Sequence, residues 1–409
     1  MPVLHADPLL LGPTGLPVVP ALDIAIGHPV GNVPLPTRPV HLEPDPARAL
    51  RDALRPALLR PPCVVAFSGG RDSSLLLALA AELAAREGTD PPVALTFRYP
   101  GDPAADESSW QELVVAHLGN LGLRVEWVRR DVTTELDNIG PLTAPVLRAH
   151  GGPTYPAGLG NTILLAQHAR GGCLVTGNAG DEVLGGHRAG VLHPVLRRRG
   201  RGLTRADWRL AATCAAPAPV RRRQARREVD AATWLCPGLR RAALAEATRS
   251  LAGRPLRWDR SVWSALAPRA ALIGNRTRAG VASDHDCELL EPLGAAAFVA
   301  SFAAFGGRWG GITRAAGTRL LAGGLLPDAV IGRRQKAHFN ASRFGAASRE
   351  FARTWDGRGV DDSLVDPVAL RAAWLADAPP PSTAMLLQQA WLSQADEPLA
   401  GSGSGAEGP

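Results

Sequence analysis

The chain has 409 residues, 45% of them hydrophobic, with 45 basic and 38 acidic residues and a net charge of +7. That length supports one large or two modest domains around a sizeable core, and the absence of any apolar run of 18 or more residues excludes a helical membrane span. Five scattered cysteines without a CxxC pair argue against a disulfide framework or a zinc site, and with no secretory signal evident they point to a reducing cytoplasm.

The basic residues are almost all arginine: Lys336 is the sole lysine. Together with abundant Ala, Gly and Pro, this bias suggests a GC-rich bacterial genome. Arginine replaces lysine freely on a solvated surface but not where a compact point charge is required. Lys336 is therefore a candidate for function.

In chain order, residues 1–44 are rich in Pro and Gly and read as an irregular arm, with a strand or two expected from Leu16 to Ile26. Helical spacing from Asp45 to Leu58, with Pro46 after Asp45, predicts a capped helix. Val64-Val-Ala-Phe67 predicts a buried parallel strand, and Leu75–Arg86 a strong helix. Strands are expected at Val93–Phe97, Arg124–Val128 and Cys173–Thr176, with helices at Asp106–Leu121 and Asn161–Arg170. Alternation of this kind implies an α/β fold, a Rossmann-like parallel sheet with helices on both faces and ligands at the strands' carboxyl ends. A basic insertion spans about 188–230 and reads as a solvated helical segment, without the aromatic interleaving that nucleic-acid binding would want. Residues 231–395 turn mostly helical, and the Gly-Ser-rich tail, 396–409, is expected to be disordered.

Two loops carry the chemistry. Ser68-Gly-Gly-Arg-Asp-Ser-Ser74 joins a buried strand to a helix N-terminus, where glycines admit an anion to the backbone N–H groups and the helix dipole. Asp72 fits beside phosphates when a cation such as Mg²⁺ lies between them. Thr176-Gly-Asn-Ala-Gly-Asp-Glu-Val-Leu-Gly-Gly186 follows another strand and supplies a second carboxylate, Asp181. No Walker Gly-Lys-Ser/Thr is present.

The pair Ser-Gly-Gly-x-Asp-Ser and Gly-x-x-Gly-Asp-Glu-x-x-Gly-Gly, about a hundred residues apart, resembles the synthetase domain of the asparagine synthetase family, within the PP-loop ATP pyrophosphatases. That family includes β-lactam synthetase and the lasso-peptide macrolactam cyclases. The resemblance runs from about residue 45 to 395, with a nucleotide-binding core at about 60–187. It implies ATP contacts from Ser68, Gly69, Gly70, Asp72, Ser73, Ser74, Gly177 and Asn178, and Mg²⁺ on Asp72 and Asp181. Arg334-Gln-Lys-Ala-His-Phe339 resembles the family's Arg-x-Lys-x-x-Phe, which makes Lys336 the catalytic lysine. Glu288, four before Pro292, matches the family's glutamate, with Glu291 an adjacent alternative; Gly294 stands where an Asp is expected.

Two departures shape the expected reaction. Full-length asparagine synthetases start with a glutaminase domain whose nucleophile is a cysteine at position 2, whereas this chain has Pro2, so ammonia release from glutamine is not expected. Asn178 stands where the family has Glu or Tyr, and an amide is no base, so proton removal falls to Glu288, Glu182 or the substrate. The expectation is an AMP-forming ligase that joins a peptide or small-molecule carboxylate to an amine, with no membrane and no nucleic acid involved. A separate peptide-binding partner or a protease is left open. The alternatives are an ammonia-dependent asparagine synthetase, a tRNA-modifying PP-loop enzyme and an inactive binding homologue.

Overall fold

The computed structural model describes residues 9–100, 105–185, 187–197, 202, 204–228, 232–310, 312–333 and 343–395. Five parallel strands, β1 (Cys63–Ala66), β2 (Val93–Arg98), β3 (Glu126–Asp131), β4 (Cys173–Val175) and β5 (Glu288–Leu290), form one sheet in the order β3-β2-β1-β4-β5. Val64 is level with Val93 on one side and Leu174 on the other. β1 is a continuous apolar run because both its faces are covered. Val65 and Phe67 pack with α2 (Pro46–Leu58), α3 (Arg71–Glu87), α4 (Ser108–Asn120) and helix Ala296–Gly306. Val64 turns the other way, toward Leu165 and Ala166 of helix Leu159–His168 and Ala282 of helix Arg269–Ser283. The fold is thus the expected three-layer α/β arrangement. On α3, Leu75, Leu76, Leu77 and Leu79 are fully buried, each contributing roughly 1.5–3 kcal/mol.

α2 begins as its sequence dictates: the Asp45 carboxylate accepts from Ala47 N at 2.9 Å, with Pro46 in the first turn. Other elements differ from expectation. β3 lies later than the apolar pattern suggests, at Glu126–Asp131, because an edge strand can carry polar residues. The arm forms a helix, α1 (Ala21–Ile26), closed by Gly27 at φ +94°, and among its described residues the β-structure is confined to the isolated bridges Leu11–Pro17 and Asn32–Pro268. α1 is tied down by Asp23, which is 2% exposed, pairs with Arg269 and accepts from Val30 N at 3.1 Å. The Trp234 indole donates to Ala25 O at 3.1 Å. α1 thereby joins a second core with Trp355, Trp374 and Leu387 from the C-terminal helices. That C-terminal part is helical as expected, except for β5. Three residues between Asp286, at φ +54°, and Pro292 are too few to show a period. No helix among the described residues is long and apolar enough to cross a membrane.

His187 illustrates a buried polar group fully used. Its Nδ1 lies 2.9 Å from Ser261 Oγ, its Nε2 2.8 Å from Val183 O, and its ring meets Trp258 edge-on at 4.8 Å. Burial pushes its pKa below the usual 6.5, outweighing the bond to Val183. The unfolded chain therefore binds this proton more readily than the folded one. Stability is full above pH 6.5 and falls as pH drops through 6.5 toward the depressed value. Melting temperature is expected to decline over that window, and a His187→Phe variant should show a flatter decline.

Candidate active site

The chain winds outward from β1 to β3 and then returns to place β4 on the other side of β1. Crevices form at such a switch point, outside the carboxyl ends of the strands. Both loops of interest lie there, lining a cavity of about 600 Å³.

The first loop is built from its own side chains. Ser73 Oγ lies 3.3 Å from Ser68 N and 3.2 Å from Ser68 Oγ and donates to Gly70 O at 3.1 Å. Gly69 adopts φ +81°, and a Cβ there would come within 2.9 Å of Gln111 Cγ on α4, so the turn needs glycine. Ser68, Gly70, Asp72 and Ser73 line the cavity. Gly69 instead faces α4, and Ser74 is 0% exposed in the core, with its hydroxyl unpartnered. Neither of these two lines the cavity.

The second loop closes over Asp72. Gly177 approaches the aspartate backbone, and a Cβ on Gly180 would stand 2.5 Å from Asp72 Cγ. Gly180 opens a short helix, Gly180–Leu184, and Gly180→Ala must push the carboxylate aside. That substitution is expected to lower ATP turnover by about 10²-fold, a typical loss for a displaced catalytic group. Initial rates with the fold checked by circular dichroism measure it. Ala179 sits at φ +67°, a left-handed strain of about 1–2 kcal/mol for a non-glycine residue. A Cβ on Gly294 would stand 3.2 Å from Ala179 Cβ, so this position, where an Asp was expected, is crowded by the strained loop.

Asp72 and Asp181 are brought together on one arginine. Arg314 Nη2 lies 2.6 Å from Asp72 Oδ2, and its Nη1 bonds Asp181 Oδ1. The second Asp72 oxygen, Oδ1, is buried without a partner. Burial pushes the Asp72 carboxyl above its usual range, which Arg314 offsets in part. Burial, then the charge of Arg314, lowers the Arg71 pKa. Among the described residues no cluster of three metal-ligating side chains occurs. The pair, with its orphaned buried oxygen, fits a hard cation that takes its remaining ligands from phosphate and water, as Mg²⁺ does.

The acidic residues separate into three positions. Glu182 is exposed and lines the cavity. Glu288 does not join the site. It opens β5 opposite Cys173, at the amino end of the sheet, and pairs with Arg60. A glutamate that begins a parallel strand cannot reach the crevice at the strand's other end. Glu291, just past that other end, accepts from Asn178 Nδ2 at 2.7 Å, Asn275 Nδ2 at 2.9 Å and Arg278 Nε at 2.9 Å. It thereby fixes Asn178 and Arg278, both of which line the cavity.

Arg278, Arg314 and Arg333 gave no signal in a chain so rich in arginine. Arg333 is nearly buried against Glu107, donates to Gly69 O at 3.2 Å and lies 4.8 Å from the Trp110 ring centroid. Lys336 and the tail 396–409 lie outside the described residues. The residues flanking the segment that contains Lys336, Arg333 and Arg343, both line the cavity.

A family model described as asparagine synthase matches residues 47–269. That span covers more than half of the chain and holds both loops. No curated protein matches it. The chain belongs to the asparagine synthase family, whose members are ATP-dependent amide-forming ligases.

Proposed function

We propose that this member of the asparagine synthase family adenylates a peptide carboxylate with ATP, releases pyrophosphate, and lets an amine of the substrate close the amide. The observation that carries this reading is the convergence of Asp72 and Asp181 on Arg314 at the phosphate loop. The same buried Asp72 carboxylate keeps one oxygen without a partner.

A carboxylate is a poor electrophile. A bond from its oxygen to the α-phosphorus of ATP, with cleavage of the α–β bridge, converts oxide into a phosphate-monoester leaving group. That step needs positioning and charge neutralisation more than covalent chemistry. The N–H groups of Arg71, Asp72 and Ser73 at the start of α3 would donate to the phosphate oxygens, and Arg314 and Arg71 would meet their charge. Mg²⁺ held by Asp72 and Asp181 would neutralise phosphate charge when bound. Lys336, by its match to the family's lysine, would hold the departing pyrophosphate. An apolar recess of about 200 Å³ between Ala66, Leu95 and Leu165 suits a flat heteroaromatic base. The amine then attacks the acyl carbon and AMP leaves. Glu182 takes the amine's proton, and Glu291 acts one step back by orienting Asn178 and Arg278.

Pyrophosphate release from Mg-ATP with candidate acceptors tests the reading. Release with free peptides is expected. Release with aspartate plus ammonia instead would make the chain an ammonia-dependent asparagine synthetase. Bound ATP without turnover on any acceptor would point to a separate peptide-binding partner or protease. Failure to bind ATP would end the adenylation reading.

A further inference from the structure

A groove of about 280 Å³ runs beside the reaction cavity, between the 138–158 region, the C-terminal helices and Gly27 at the end of α1. The two spaces share Pro156, Gly158 and Arg343 in their walls, so they lie side by side. The Arg343 side chain lies against Gly158, where a Cβ would stand 3.3 Å from its Nε. The groove walls are mostly apolar and include Tyr155, Phe344 and Met385.

One polar side chain in this wall has no use within the protein. Asn138 is 1% exposed, and its Oδ1 and Nδ2 both lack a partner. The backbone of Asn138 is engaged, since its N–H donates to Arg343 O at 2.9 Å and its carbonyl accepts from Gln388 Nε2 at 3.0 Å. The next residues are held as well: Asp137 accepts from Ile139 N and Ser348 N, each at 3.1 Å. Gln388, a second buried carboxamide nearby, is by contrast fully used. It also donates to Ala157 O at 2.9 Å and accepts from Thr154 N at 3.2 Å. The difference between these two amides needs an explanation, because buried polar groups are nearly always paired.

We propose that the groove is a peptide subsite, in which the Asn138 carboxamide pairs with the N–H and C=O of one substrate residue while an apolar side chain fills the groove. A carboxamide offers one acceptor and one donor side by side, which match the N–H and C=O of one residue in an extended chain because these point the same way. With the two spaces side by side across Arg343, the same chain would lead on into the reaction cavity. This rests on the peptide-ligase reading above and assigns its recognition surface.

The test uses acetyl-Ala-Leu-Ala-methylamide, whose blocked ends prevent adenylation, and its single-ester analogues, each lacking one amide N–H. Binding to the full chain is read by calorimetry. The wild type is expected to bind the tripeptide, and one ester analogue should bind about tenfold more weakly. Asn138→Leu should lose about tenfold for the tripeptide, keep its ATP affinity and melt no lower than wild type, because it removes two unpaired buried atoms. Absence of binding by the wild type, equal binding of all esters, or a markedly lower melting point for Asn138→Leu with binding unchanged would each overturn the proposal. A missing pyrophosphate signal would count against the ligase reading while leaving this binding result intact.

Discussion

Asp72→Asn is expected to lower substrate-dependent pyrophosphate release by about 10² or more, a typical loss for a group that stabilises developing charge. The substitution keeps the shape and removes the charge. Burial already disfavours the Asp72 carboxylate, so an amide should be tolerated by the fold. Melting temperature should stay near wild type while turnover collapses. Lys336→Ala should give a loss of the same order, and Lys336→Arg should not restore it, because a planar fork does not replace a compact ammonium. Initial rates by a coupled pyrophosphate assay, with melting curves for each variant, measure both effects. Activity within a few-fold of wild type for Asp72→Asn would remove the paired carboxylates from the mechanism.

Glu182→Gln should separate the two halves of the reaction. General-base catalysis is worth about 10²–10⁴ in rate. Exchange of labelled pyrophosphate into ATP should persist in this variant, because adenylate formation does not need the base. Amide formation should fall by about 10²-fold or more. Glu288→Gln should leave both halves untouched, since Glu288 sits at the far end of β5 with Arg60. Loss of exchange in Glu182→Gln would assign Glu182 to the phosphates instead.

Much of the fold was legible because its strands are buried on both faces. Val64–Phe67 and Cys173–Val175 are short apolar runs that a parallel sheet alone explains, and the Gly-rich loops after them mark the crevice. β3 and β5 were less legible because edge strands carry polar residues and three residues show no period. α1 was misjudged because the pull on it is tertiary: Asp23 reaches Arg269 across 246 positions. The same holds at the site. Residues within the two motifs could be read locally, whereas Glu288 and Glu291 differ by three positions and by the whole length of a strand. Arg314 could not be singled out by composition, since it is one arginine among many. Its role follows from two carboxylates that the sheet brings into its reach.

The most direct test of the account is the fate of oxygen during turnover. Mg-ATP is incubated with peptide acceptors labelled with ¹⁸O in their carboxylates, and the products are read by ³¹P spectroscopy. Attack of the carboxylate on the α-phosphorus predicts AMP carrying one ¹⁸O, together with unlabelled pyrophosphate. ADP with the label in inorganic phosphate would mean attack at the γ-phosphorus and would contradict the account.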